Sequence, residues 1–242
     1  MKNKYAVPLA VLLVILLGLI GGINEIMVEN KKKEIKERYL SGYYDNIIIT
    51  KHSYNTKDWD TYIMHGVFSI KVPPSMEVKD SNHIHSQDEY DIIYKRRRIK
   101  NMPIIFTQKG LATKDSSAFN TYCRIIITIE QGQKGDFFKS NEKEELSIED
   151  IHYIQNSVNT GKYKLLGIPE VRWIKIENIY ALNIEYDREG MYNYHTKVNT
   201  YLLFNDSQSI TLTLSYRRED ENLWKKDFEA ILSTFQWNNW NE

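Results

Sequence analysis

The sequence predicts an α+β fold, a largely antiparallel sheet with packed helices, preceded by one N-terminal transmembrane helix. Three observations carry this prediction. Tyr5 to Ile23 contains nineteen residues without a charge. Four strand-like segments follow one another between Val171 and Arg217, joined by short polar turns. A helix-spaced apolar stripe, Trp224, Phe228, Ile231, Leu232 and Phe235, comes directly after them. Parallel neighbours need long crossovers, so short turns imply antiparallel pairing and helices laid on the sheet. The chain divides into residues 1–23, a transmembrane anchor or signal sequence; 24–60, a stalk and lead-in; and 61–242, the α+β domain.

A helix rises about 1.5 Å per residue, so the first segment just reaches across a hydrocarbon core of about 30 Å. Within lipid a helix also satisfies its own backbone groups. The rival is a cleaved signal peptide, whose apolar part is shorter and ends in a small-x-small site. Gly18 to Asn24 reads G-L-I-G-G-I-N, with large residues at most of the positions where small ones are required. An uncleaved anchor is therefore the expectation. No Cys follows the run to carry a lipoprotein-type lipid. Lys2 and Lys4 favour a cytoplasmic N-terminus. Lys31, Lys32, Lys33, Lys36 and Arg38 oppose this, but they begin eight residues beyond the run. The domain is thus expected outside the cytoplasm, periplasmic or at the cell surface, on a single-pass membrane protein.

Composition narrows the class. Basic and acidic residues number 32 each, so no global field argues for nucleic acid. Aromatic residues make up 12% of the chain, 17 of them Tyr, which excludes a disordered tether. Only five Pro are present, too few for a proline-rich spacer. The single cysteine rules out an internal disulfide.

Asn24 to Leu40 reads as a charged helical stalk, with Ile35 and Tyr39 one turn apart; Ser41 to Asp60 reads as an ordered lead-in. Strand-like alternation begins at Tyr62. Phe68, Ile70 and Val72 share one face, and Pro73-Pro74 ends the run. Tyr90–Arg96 and Ile104–Thr107 read as the next strands. In Tyr122–Glu130, Cys123, Ile125, Ile127 and Ile129 form an apolar face, which makes Cys123 a small core residue and not a nucleophile. Ser147 and Asp150 have capping-box spacing, with Leu146 and Ile151 at staple positions. Ile148, Ile151, Ile154 and Val158 then line a helix that Gly161 stops. Val171–Ile176, Tyr180–Asp187, Thr196–Phe204 and Ser209–Arg217 are the four closing strands, with a hairpin turn at Asn205-Asp206-Ser207. Asp220 is the expected cap of the last helix.

Three stretches resemble the Mog1/PsbP-like fold, which also includes bacterial envelope proteins of the DcrB type. They are the entry strand F-S-I-K-V-P-P-S-M from Phe68 to Met76, the extended segment from Pro103 through Thr107 to Gly110, and the close from Tyr201 through Ile210–Tyr216 to Phe228–Trp237. The likeness covers Tyr62 to Trp237, and residues Gly132–Lys162 depart from it as an insertion. Members of that group include an accessory subunit of the oxygen-evolving complex, a small-GTPase binder and envelope lipoproteins. The resemblance implies a binding or assembly-supporting module, and no catalytic residue transfers with it.

The residues themselves supply no reaction. Nucleophile elbows, zinc helices, paired-Cys motifs and phosphate loops are absent. Gly161-Lys162 resembles the end of a P-loop, but Asn156 stands where its first Gly belongs and Tyr163 where Ser or Thr belongs. His83-x-His85 with Asp88 and Glu89 has metal-like chemistry but no fourth ligand, and reads first as a polar loop. Lys95, Arg96, Arg97, Arg98 and Lys100 read as a solvated strand end balanced by nearby acids. Asp187-Arg188-Glu189-Gly190 lacks the spaced ligands of a calcium loop and reads as a turn. His65 and His195 stand alone and read as structural. The aromatic tail Trp237 to Trp240 reads as packing for the last helix. No catalytic, cofactor-binding or metal residue is therefore assigned, and no cofactor. The expected partners are membrane lipid, through the N-terminal helix, and an envelope protein. The alternative is an envelope enzyme of hydrolase type using the loop histidines and carboxylates.

Overall fold

The computed structural model describes residues 30, 33–34, 47–79, 103–111, 113–143, 145–190 and 194–238. The chain falls into two units, Met1–Tyr44 and Asp45–Glu242. In the first, only Asn30, Lys33 and Glu34 are described, and they are helical. The segments Tyr5–Ile23 and Tyr90–Arg96 lie outside the described residues. Among the described residues no helix is long and apolar enough to cross a membrane.

The second unit is α+β and mostly sheet. Its strands are β1 (Ile48–Ile49), β2 (Asp60–Met64), β3 (Phe68–Val72), β4 (Met76–Val78), β5 (Ile104–Gln108), β6 (Cys123–Gln131), β7 (Leu165–Ile176), β8 (Ile179–Glu189), β9 (His195–Asn205), β10 (Gln208–Arg217) and β11 (Gln236–Trp237). Among the described residues two α-helices accompany them, α1 (Ile148–Ser157) and α2 (Glu221–Ser233). Eight strands form the main sheet in the order β1-β7-β8-β9-β10-β6-β5-β4, and β11-β3-β2 form a second, smaller one. Pairing is antiparallel except where β1 joins β7, through Ile48 beside Lys175 and Ile49 beside Ile176. The ordered lead-in thus supplies the edge strand of the main sheet.

The single alternating run expected from Tyr62 is two strands. His65 and Gly66 both have positive φ, 51° and 72°. That is the backbone of a tight two-residue hairpin, closed by the Val67 N–H donating to the Met64 carbonyl at 2.8 Å. β3 then pairs with β2 on one side and β11 on the other.

Alternation in the central strands sends Ile125, Ile127, Leu203, Ile210, Leu212 and Leu214 to one face, all buried. α2 lays Trp224, Phe228, Ile231 and Leu232 on that face, and the small sheet closes it with Met64, Phe68, Ile70 and Val72. Phe68 stacks on Phe235 at 5.1 Å, Phe228 meets Tyr216 at 5.6 Å, and Tyr62 meets Phe106 at 4.9 Å. Trp237 packs edge-on against Phe235 at 5.2 Å, as its tail position suggested. Asp220 does not cap α2 through its side chain. Its carboxylate accepts instead from Thr121 Oγ1 at 2.8 Å and from the Tyr122 N–H at 3.1 Å, tying the helix start to β6.

The opposite face carries α1 over β7, with Ile151 and Gln155 buried. Gln155 Nε2 donates to the Pro169 carbonyl at 2.7 Å, which satisfies an amide on a helix face otherwise expected to be apolar. Phe138 adds a second cover through Trp173 and Phe204, at 6.2 and 5.5 Å. The capping box is formed: Ser147 Oγ accepts from the Asp150 N–H at 3.1 Å, and the Asp150 carboxylate accepts from the Ser147 N–H at 2.9 Å. Ser147→Ala is expected to cost about 1 kcal/mol, read as a fall in thermal midpoint of a few degrees. An unchanged midpoint would mean that α1 is held by packing alone.

Candidate functional site

The face that α2 covers is apolar only beneath the helix. Registers across β7, β8 and β9 carry the same face beyond it, where the residues become polar. Arg172 stands beside Asn183, which stands beside Tyr201; Glu170 stands beside Glu185, which stands beside Asn199; and Asp187 stands beside Lys197, which stands beside Tyr216. These rows continue those of Leu212, Leu214 and Cys123 without changing face. The result is a charged ledge at one corner of the sheet, next to α2.

The charges on the ledge are paired. Arg172 donates through Nη1 to Glu170 at 2.8 Å and through Nη2 to Glu185 at 2.5 Å. The second oxygen of Glu185 takes the Lys197 ammonium. Arg218, just past β10, holds Asp187. Arg172, Lys197 and Glu185 are only 13%, 17% and 22% exposed, so these pairs are poorly screened. α2 contributes Glu229, which accepts from Tyr54 Oη at 2.9 Å.

Burial pushes the Glu185 carboxyl up, but the hydrogen bond from Lys197 and the charges of Arg172 and Lys197 outweigh it and hold the group below its ordinary value. Burial, followed by the Glu185 charge, drives the Tyr201 phenol far above the ordinary range. Tyr216 is raised in the same way, by burial and then by Glu221 and Glu185. Burial and the bond to Glu229 push Tyr54 up to about 12. At neutral pH the carboxylate is therefore charged and the phenols are protonated. None of these groups is poised to exchange a proton in the physiological range. Cys123 lies fully buried beside Tyr216, and burial pushes its thiol far up, so it is a core residue as expected and a poor nucleophile.

The residues singled out in the sequence scatter away from this ledge. Asp187, Arg188 and Glu189, expected in a turn, are strand residues of β8. The ladder with β9 runs on to Glu189 beside His195, so these three residues are paired strand and not a turn. Asp187 is an ion-pair partner and not part of a calcium loop. His195 is exposed at the start of β9, and His65 sits in the β2–β3 turn. The His83, His85, Asp88 and Glu89 cluster and the basic residues Lys95–Arg98 and Lys100 lie outside the described residues, as does Trp240. Among the described residues no group of three or more His, Cys, Asp or Glu side chains is placed to hold a metal ion.

No protein-family model matches the chain, and no curated protein matches it. Solved structures do resemble it. One is the solution structure of the cyanobacterial PsbP protein CyanoP from Synechocystis sp. PCC 6803, at TM-score 0.42 and 12% identity, covering 74% of this chain and 91% of that one. Another is LpqN of Mycobacterium tuberculosis, described as involved in cell envelope biogenesis, at TM-score 0.41 and 7% identity, covering 75% and 86%. A third is a crystal structure from Bacteroides thetaiotaomicron VPI-5482, at TM-score 0.41 and 11% identity, covering 77% of this chain. The chain spans about half the length of that protein, 51%. The resemblance to PsbP-like proteins is a weak one of fold and carries nothing about activity.

Proposed function

We propose that this chain is a membrane-tethered binding or assembly module, non-catalytic, whose folded unit works outside the cytoplasm beside the bilayer. The observation that supports binding over catalysis is the state of the ledge. Glu185 is clamped between Arg172 and Lys197 and held ionised, while the phenols that feel its charge are held protonated. Such groups recognise and position; a general acid or base needs a value near the working pH. The tether is the uncharged run Tyr5–Ile23, and the partner is an envelope protein.

The test is protease accessibility of the full chain in intact cells, combined with in-cell crosslinking and recovery of the crosslinked species. The expected result is cleavage of the folded unit by external protease once the outer permeability barrier is opened, with one recurring protein partner. Release of the intact chain from membranes in plain buffer, or crosslinks without a recurring partner, refutes the proposal.

A further inference from the structure

Phe119, Leu223 and Tyr194 stand 58%, 55% and 42% exposed. They come from three separate connections, and the fold brings them to one end of the main sheet, where β6, β7 and β9 start and β8 and β10 end. Contacts join the three. Arg217 lies over the Tyr194 ring at 4.1 Å and donates through Nη1 to the carbonyl of Asn120, the neighbour of Phe119, at 3.2 Å. Trp224, the neighbour of Leu223, donates through Nε1 to Thr121 Oγ1 at 2.7 Å, on the other side of Asn120. Lysines surround these apolar tips. Lys226 follows Leu223 by one turn of α2, and Lys109 and Lys114 share the β5–β6 connection with Phe119. The Lys109 N–H donates to the Ser75 carbonyl at 2.8 Å, and the Ser75 side chain bonds Asp227, which adjoins Lys226. Lys162 and Lys164 lie just before β7 at the same end. All five lysines are exposed and have no ion-pair partner among the described residues. Glu189 and Glu219 are exposed carboxylates in the same state, whereas Asp115, Asp187, Asp220 and Glu221 are engaged by Ser117, Arg218, Thr121 and Lys225.

We propose that this end of the sheet is a second membrane contact, made by the folded unit itself on an anionic bilayer surface. Phe119, Leu223 and the amphipathic ring of Tyr194 seat at the headgroup boundary. The lysine stems lie along them and carry their ammonium groups to the lipid phosphates. The direction of the chain agrees with this placement. β1 runs parallel to β7, so the chain enters it from the end of the sheet at which β7 starts, which is this end. Residues 24–46, upstream of it, reach about 35 Å even as a helix, enough to let that end settle on the bilayer. The inference rests on the tethering proposed above. A contact of so few side chains is weak alone, and the tether supplies the effective concentration that makes it persist.

The test uses the purified full chain reconstituted into nanodiscs of phosphatidylcholine, alone or mixed with phosphatidylglycerol. Single spin labels are placed at Phe119→Cys and Leu223→Cys. A control label goes at Lys134→Cys, in the turn held to Asp206 at the opposite end of the sheet. Cys123 is fully buried and stays unlabelled. The readout is the collision rate of each label with a water-soluble nickel chelate. At the first two positions it is expected to be about fivefold lower in phosphatidylglycerol discs than in phosphatidylcholine discs, with the control unchanged. The difference is expected to vanish in Lys109→Glu/Lys114→Glu/Lys226→Glu, whose thermal midpoint is unaltered because all three positions are exposed, and at about 0.5 M salt. Equal collision rates in both kinds of disc, or shielding that survives in the triple variant, would overturn the proposal. Shielding that follows protein concentration and not phosphatidylglycerol would give the patch to a second copy of the chain and overturn it too. A chain that fails to co-migrate with the discs refutes the tethering and this inference with it. A chain that co-migrates with its labels equally open in both discs refutes this inference alone.

Discussion

Replacing Phe228 with alanine is expected to destabilise the folded unit by about 4 kcal/mol, the usual cost of emptying a buried aromatic site. For a unit of this size that corresponds to a fall of roughly 8–16 °C in thermal midpoint. Phe228 is 4% exposed and sits between the main sheet, through Tyr216, and the helix's other core residues Trp224, Ile231 and Leu232. The hole cannot close by moving α2, because the helix is held at both ends. Trp224 Nε1 donates to Thr121 Oγ1 at 2.7 Å near its start, and Thr234 Oγ1 accepts from the Lys71 N–H at 2.8 Å just past its end. Denaturant titration of the variant checks the figure. A loss below about 1 kcal/mol would mean that the helix is not the element that seals the core.

Glu185→Gln is expected to cost about 3 kcal/mol at neutral pH, because it keeps the shape of the side chain and leaves two shielded cations short of a counter-charge. The pH dependence separates this from a packing defect. Glu185 titrates lower in the folded chain than the roughly 4.3 of an unfolded glutamate. Between the two values the unfolded chain binds more protons, so stability rises with pH there. The contribution of the pair is complete above the unfolded value and fades as the pH falls through the folded one. The gap between wild type and variant is therefore expected to be full at pH 7 and to narrow steadily below about pH 4. A gap of constant size across that range would assign the loss to packing. Arg172 retains Glu170 in the variant, whereas Lys197 loses the carboxylate it rests on, so Lys197→Met in the same background is expected to recover part of the loss.

Strand placement was legible wherever one face is continuously apolar. Ile210, Leu212, Leu214 and Tyr216 alternate without interruption, and the run from Trp224 to Phe235 keeps helical spacing to its end, so both elements appear where the periodicity puts them. β7 begins earlier than its clear alternation because Leu165–Pro169 contains a break. Gly167, at φ 88°, lies where the register with β8 shifts between Leu166 and Glu170, and a bulge interrupts the very period that marks a strand. The second sheet was not legible, since nothing local tells β3 to pair with Gln236–Trp237 near the other end of the chain. The ledge was hidden for a similar reason. Arg172, Glu185 and Lys197 each look like an ordinary solvent-facing residue of their own strand, and only the register across three strands brings them together. The available signal was a polar residue at every second position, Asn183-Glu185-Asp187 and Lys197-Asn199, on the same parity as buried Ala181, Tyr201 and Leu203.

The joining of β11 to β3, with the Lys71 amide bonded to a threonine 163 residues later, has a kinetic meaning. Contacts this distant in sequence form late, because the loop they close must be paid for first. The core side of both sheets stays open until α2 and β11 have emerged from the ribosome. Until then a nascent chain stays unclosed, and β3 gains its second neighbour only in one late, cooperative step.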